Sequence, residues 1–151
     1  MGERNENSAM GDLRFETGSV KRLYPKQPGD FARWLAHNHH ASEVWLVFYK
    51  KTSGKQRTTY KDALQEALCY GWIDSRVKSI DPLRFTVRFT PRKPGTPWSQ
   101  RNVTLVKALL EGKRMTDAGI AVLPLDLRRK VNSSLTQVHS QTTRDSHANA
   151  H

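Results

Sequence analysis

An uninterrupted run of six apolar residues, Val44–Tyr49, limits the possible folds of this chain more than any other segment. Successive residues of a strand point to opposite faces of a sheet, so a strand that is apolar at every position is covered on both faces. The run is far shorter than the roughly 20 apolar residues that a membrane-spanning helix requires. It therefore predicts a central strand of a folded domain, which ends at Lys50–Gly54.

Helical patterns occur on both sides of this strand. Pro28-Gly-Asp30 precedes apolar residues at i, i+3 and i+4, which predicts a helix that ends near Asn38. A second helix is predicted over about residues 60–70, where the Thr59 hydroxyl accepts a hydrogen bond from the backbone of the first turn. Gly71 follows this helix, at a position where a left-handed C-terminal cap requires glycine.

Two further helices and a strand are predicted from shorter patterns. Residues 13–17 predict a strand before a turn. Pro97-Trp98-Ser99 leads into a helix that closes at Gly112. Thr116 is placed to cap a last short helix over residues 117–123.

A β-hairpin is predicted between the second and third helices. Residues 73–80 and 83–90 are both β-patterned, and they flank the turn pair Asp81-Pro82. Apolar and polar residues alternate in the second arm, so one face contacts the core and the other is polar. The inward residues are Phe85, Val87 and Phe89, and the outward residues are Thr86, Arg88 and Thr90.

The outward face of this hairpin is predicted to be cationic. We expect Ile73 and Val77 in the first arm to point toward the core with the apolar residues of the second arm. The basic residues then left on the outside, or continuing into the following loop, are Arg76, Lys78, Arg88, Arg92 and Lys93.

These elements together predict an α+β fold with a small, mostly antiparallel sheet flanked by helices. The domain is expected over residues 13–123, after a flexible leader formed by residues 1–12. From about Val131 the sequence is rich in Ser, Thr, Gln, Asn and His and nearly free of apolar residues, which is typical of disorder. Residues 124–151 are therefore predicted to form a polar, disordered tail.

The net charge of +11 in 151 residues narrows the classes of ligand. Such an excess favours polyanions, such as nucleic acid or anionic lipid headgroups, and disfavours cationic peptides. No segment is apolar over a bilayer-spanning length, and the polar N-terminus carries no secretory signal, so the expected location is the cytoplasm. The single cysteine, Cys69, agrees with a reducing compartment.

Nucleophilic and metal chemistry receive little support from the residue pattern. Cys69 lies at the end of a predicted helix, where the helix dipole raises the pKa of a thiol, and we expect it to be packed and inert. The first three histidines share a helix face only if the helix continues through them, and the tail histidines lie in a segment that cannot preorganise a site, so no metal site and no cofactor is predicted. The six histidines are His37, His39, His40, His139, His147 and His151.

Two features are candidates for ligand contact, and each has a structural alternative. Asp74, just past a helix end, either faces a ligand or is held by the backbone of the turn or by an arginine of the hairpin. The loop from Arg92 to Trp98 presents guanidinium, ammonium and indole groups, which suit phosphates and π-faces. In the alternative, Pro97 begins the next helix and Trp98 packs in the core.

Four segments together resemble the bacterial YdeI/OmpD-associated family, also described as bacteriocin-protection proteins. They are FARWLAHNHHASEVWLVFYKKTSGK, TYKDALQEALCYGWIDS, FTPRKPGTPWSQRN and LLEGKRMTDAGIA, and the similarity covers roughly residues 20–123. The resemblance implies a small α+β bacterial protein linked to tolerance of bacteriocins or cationic antimicrobial peptides, and it supplies no catalytic residues. Members usually continue into further helical sequence, so we expect this chain to lack the family's C-terminal helical part.

We therefore expect a non-enzymatic stress or bacteriocin-tolerance protein that acts by binding a protein partner or a polyanion. One alternative is an enzyme on a small anionic substrate, with Asp74, Cys69 and Arg92 in one cleft. Another is an interaction domain whose exposed Trp side chains contact a partner. The expected contact surface consists of Arg76, Lys78, Arg88, Arg92, Lys93 and Trp98, with Asp74 beside it.

Overall fold

The computed structural model describes residues 12–15 and 21–132. Within them, five strands form one sheet, and helices precede and follow its central strand. The strands are β1 (Asp12–Phe15), β2 (Lys21–Tyr24), β3 (Val44–Tyr49), β4 (Trp72–Asp81) and β5 (Arg84–Pro91). The helices are α1 (Pro28–His37), α2 (Tyr60–Cys69), α3 (Gln100–Glu111), α4 (Asp117–Ala121) and α5 (125–132), with a 3₁₀ turn at Lys51–Ser53.

The sheet has the order β1-β2-β3-β5-β4 and is mostly antiparallel. β1 pairs with β2, β3 with β5, and β4 with β5 in antiparallel register, whereas β2 and β3 are parallel because α1 crosses over between them. The predicted α+β class, the central strand and the hairpin are confirmed. The sequence reasoning missed β2, which is only four residues long.

The hydrophobic core lies between one face of this sheet and the helices. The ring of Phe31 in α1 contacts that of Phe89 in β5, with centroids 5.3 Å apart. Trp34 and Trp72 meet edge to face at 5.6 Å, and Trp72 is only 2% exposed. Aromatic pairs in this geometry stabilise a core beyond the area they bury. The apolar periodicity of α1 is thereby explained by its contact with the sheet.

Helix α2 begins and ends as its sequence predicts. The Thr59 hydroxyl accepts a hydrogen bond from the Asp62 amide at 3.1 Å, which satisfies a donor of the first turn. Gly71 follows the helix with φ +79°, a conformation that costs other residues free energy. This geometry turns the chain directly into β4, where the predicted hairpin starts.

The C-terminal boundary of the domain was predicted wrongly. Residues 125–132 are helical, and Leu127 is 3% exposed within the core, so residues 124–132 belong to the folded domain and not to a disordered tail. Leu127 anchors this segment in the core next to Leu123, which precedes it, although the average composition of the segment is polar. The predictions for residues 1–11 and 133–151 lie outside the described residues. In the part that is described, no helix combines the length and apolarity needed to cross a membrane.

Candidate anion-binding site

The β4–β5 hairpin brings three basic residues to one face of the sheet. Arg76 is directly opposite Arg88, and Lys78 is directly opposite Thr86. Directly paired residues of neighbouring strands share a face, so the predicted clustering of Arg76, Lys78 and Arg88 is confirmed. We call these three residues, together with Lys93 in the following loop, the cationic surface.

A β-bulge in β4 decides which residues accompany these cations. The register shifts between Asp74 and Arg76, which adds one residue to β4 and reverses the alternation beyond it. Ile73 is therefore opposite Thr90, on the face of Arg88, and the expectation that it shares a face with Val77 was wrong, although Ile73 still packs against the core. Val77 is opposite the buried Val87, yet it is 57% exposed because β4 is an edge strand.

Acidic neighbours neutralise only part of the basic hairpin. Arg88 forms an ion pair with Glu43, and Arg84 forms one with Asp81 at 2.9 Å. The Leu83 amide, followed by Arg84, lowers the pKa of Asp81. Among the described residues, no carboxylate forms an ion pair with the remaining members of the cationic surface, which are Arg76, Lys78 and Lys93. Most of the cationic surface therefore keeps its charge available.

Next to these residues lies an open cleft of about 610 Å³. Its floor is the end of the hairpin, and its wall is the loop that follows β5. The cleft is lined by Ser42, Ile73, Arg88, Thr90, Pro91, Arg92, Lys93, Pro94 and Thr96. Three of the basic residues selected from the sequence thus meet around one concavity, and they are Arg88, Arg92 and Lys93.

Arg92 is the most buried of these basic residues, at 8% exposure. Its guanidinium lies 3.8 Å from the centroid of the Trp98 ring, a cation–π contact. Its Nη2 donates to the backbone carbonyl of Pro97 at 2.6 Å and to that of Thr96 at 3.3 Å. Burial lowers the pKa of Arg92, and its buried Nε has no hydrogen-bond partner. Arg92 therefore both fixes the loop and carries an uncompensated charge beside the cleft.

Trp98 has features of both roles considered for it, packing in the core and contributing to the cationic loop. It is half-buried and packs against the core, and its ring supports Arg92. Helix α3 begins after it, at Gln100, and its N-cap is Ser99, which accepts from the Asn102 amide at 3.1 Å. Pro97 lies before the helix and does not begin it. Trp98 thus shapes the wall of the cleft through Arg92.

Asp74 lies on the face of the sheet opposite the cationic surface. It is opposite Phe89 on the core face of the hairpin, and it accepts a hydrogen bond from the Tyr60 hydroxyl. Burial, followed by the hydrogen bond to Asp74, raises the pKa of Tyr60. The expected positions beside the cationic surface or in an ion pair with a hairpin arginine were therefore wrong. The cause is again the bulge, which puts Asp74 and Arg76 on opposite faces.

The residues considered for catalysis do not converge. Cys69 is buried in α2, and this burial raises the pKa of its thiol to about 11. The cleft that Arg92 lines contains neither Cys69 nor Asp74, so the single pocket required by the enzymatic alternative is not formed. No group of three or more potential metal ligands comes together within residues 12–15 and 21–132.

Two contributors to the site were missed by sequence reasoning. Glu43 directly precedes β3 and pairs with Arg88. The Lys78 ammonium reaches across β5 and lies 5.1 Å from the centroid of the Trp45 ring in β3. Both contacts depend on the pairing of β3 with β5, in which Trp45 is opposite Arg88. No local pattern in the sequence encodes that register.

The fold and this site together define a class of protein: an α+β domain with a cationic hairpin and an adjoining cleft on the sheet face opposite its helices. The chain belongs to the family described as a domain of unknown function, DUF8412, whose model matches residues 23–122. No curated protein and no solved structure matches the chain. The matched segment contains the whole cationic surface and the cleft.

Proposed function

We propose that this protein acts by binding a polyanion, and that the ligand is a single-stranded nucleic acid held along the cationic surface. The observation that carries the proposal is the direct opposition of Arg76 and Arg88. Like charges at directly opposed positions destabilise a sheet, and an anion bound at Arg76 relieves the part of this repulsion that the ion pair of Arg88 with Glu43 leaves. The net charge of +11 adds long-range attraction for such a ligand.

The shape of the site favours a strand over a membrane. The basic residues border a concave cleft, and single-stranded nucleic acids are typically bound in positively charged grooves that follow their backbone. A bilayer presents a flat surface and reaches a cleft of this kind poorly. Lys78 and Arg76 extend the charge beyond the cleft along β4, which gives a polymer successive contacts.

Binding without catalysis is supported by the positions of the candidate catalytic groups. Cys69 is buried with its thiol pKa raised, and Asp74 is engaged by Tyr60 on the other face of the sheet. The resemblance to the YdeI/OmpD-associated family suggests the biological setting, which is tolerance of bacteriocins or cationic antimicrobial peptides by a cytoplasmic bacterial stress protein. In that setting the protein acts on an internal anionic target, because its own charge disfavours cationic peptides as ligands.

The proposal is tested by fluorescence anisotropy with a labelled single-stranded oligonucleotide over a series of salt concentrations. Each phosphate contact contributes about −0.7 to the slope of log K against log salt, so four contacts give a slope of about −2.8. The double substitution Arg76→Gln/Lys78→Gln is expected to reduce the slope by about 1.4. The matched control is Lys61→Gln/Lys107→Gln, which removes the same charge from exposed positions on helices α2 and α3.

Three results would contradict the proposal. Binding of the oligonucleotide that does not depend on salt excludes phosphate contacts. An absence of binding excludes single-stranded nucleic acid as the ligand. Equal loss in both double variants shows a response to net charge alone. Anionic vesicles are the competing ligand: if they bind with the same dependence on Arg76 and Lys78 while the oligonucleotide does not, the target is a lipid surface.

A further inference from the structure

Arg92 is a buried cation without a carboxylate partner. A buried charge is costly unless it is paired, and the described residues provide no ion pair for this guanidinium. Of its hydrogen-bond donors, only those on Nη2 are used, by two backbone carbonyls. Nη1 and the buried Nε make no hydrogen bond within the described structure. The side chain thus has both charge and donors left for a ligand.

The charges around the cleft define the ligand further. Arg88 is balanced by Glu43, whereas Arg92 and Lys93 have no acidic partner among the described residues. Two positive charges therefore remain at the loop side of the cleft. The hydroxyls of Ser42 and Thr90 also line it and add hydrogen-bonding groups.

We propose that this cleft is a subsite for a phosphate monoester, in which Arg92 and Lys93 hold the terminal phosphate of the bound strand. A phosphate monoester carries about −1.5 to −2 charges at pH 7 and three acceptor oxygens, which match the two uncompensated cations. A carboxylate or a phosphodiester carries one charge and leaves one cation unbalanced. The volume of about 610 Å³ exceeds that of a single phosphate and leaves room for the attached nucleoside.

This inference rests on the proposed function for the polymer, and a comparison of two oligonucleotides tests it. In the first pair, one strand carries a 5′-phosphate and the other a free 5′-hydroxyl. In a second pair, the same comparison is made at the 3′ end. The phosphorylated strand is expected to bind roughly tenfold more tightly, as expected for a charge-assisted hydrogen bond. Lys93→Met is expected to remove most of this preference, whereas Lys107→Met, which is also exposed, retains it. Equal affinities for both strands at both ends overturn the subsite.

A second experiment needs no polymer, and its titration is carried out on the wild-type protein. The NMR signal of the Arg92 Nε–H, identified by its loss in Arg92→Lys, is followed while inorganic phosphate is added to the wild-type protein. A shift at pH 7.5 that weakens at pH 5 is expected, because inorganic phosphate is mostly the dianion at the higher pH and almost entirely the monoanion at the lower one. Acetate at equal ionic strength serves as the control. An identical response to acetate, or no response to phosphate, refutes the subsite.

The two experiments separate the failure of the subsite from that of the proposed function. If phosphate shifts the Arg92 signal but no oligonucleotide binds, the subsite stands and its ligand is a small phosphomonoester. If oligonucleotides bind in a salt-dependent way but phosphorylation and free phosphate have no effect, the polyanion function stands and the subsite is wrong.

Discussion

Replacement of Arg76 by glutamate is expected to increase the stability of the protein and weaken its binding. Arg76 is exposed and directly opposite Arg88, so the substitution changes a repulsive cross-strand pair into an attractive one. Such pairs contribute roughly 0.2–1 kcal/mol. Arg88 is partly exposed and already paired with Glu43, and solvent screening limits exposed pairs, so the expected gain is about 0.5 kcal/mol.

The same substitution removes one phosphate contact and places a carboxylate in its position. Loss of the contact lowers the slope of log K against log salt by about 0.7. Repulsion of the strand by the new carboxylate adds to this, and we expect a total loss of affinity of roughly tenfold or more at low salt. If Arg76 serves only the fold, Arg76→Glu should not weaken binding.

Urea unfolding and oligonucleotide anisotropy, measured in one buffer, give the two quantities. Arg76→Gln is the intermediate control, since it removes the repulsion without creating an attraction, and it should fall between the wild type and Arg76→Glu in both assays. If Arg76→Glu destabilises the protein by more than about 1 kcal/mol, the assumed opposition of the arginines is incorrect. If it leaves the affinity unchanged, the cationic surface is not the binding surface.

Three other predictions concern the core and the wall of the cleft. Gly119→Ala places a Cβ in steric overlap with the Cys69 carbonyl oxygen, and urea unfolding should show a loss of about 3 kcal/mol. Trp72→Ala should lower the free energy of unfolding by about 3–5 kcal/mol in the same assay. Trp98 is half-buried, so Trp98→Ala should lower it by only about 1 kcal/mol and should also weaken phosphate binding. Equal losses of stability would contradict the roles assigned to the two residues. Burial raises the pKa of Cys69 to about 11, so the thiol keeps its proton to a higher pH in the native state than in the unfolded state. The free energy of unfolding should therefore fall between about pH 9 and 11. The fall should be smaller in Cys69→Ala, which has no thiol.

Much of the fold is readable from local patterns. The apolar run of β3, the cap at Thr59 and the glycine at residue 71 each specify a conformation through short-range physics, and each appears in the structure as expected. The failures occurred in short segments. β2 has four residues, and helix α5 has one buried apolar anchor, Leu127, which is too little for periodicity to stand out from a polar background.

The candidate site was predictable only in part. Alternation along the hairpin places Lys78 with Arg88, but the bulge that sends Asp74 to the opposite face has no clear signal in the residues around it. Trp98 was expected either to pack in the core or to contact a ligand. In the structure it packs against the core and also contacts Arg92. Such pairings follow from how loops and strands meet, which residue types alone do not specify.

The amino-acid sequence by itself determined the helices and strands with strong periodicity, the α+β class and the excess of positive charge, because these depend on neighbouring residues and on composition. Only the tertiary structure decided that Glu43 balances Arg88 while Arg92 and Lys93 remain uncompensated around one cleft. The physical reason is that charge compensation depends on distances between segments far apart in the chain, and strand register and the bulge in β4 set those distances.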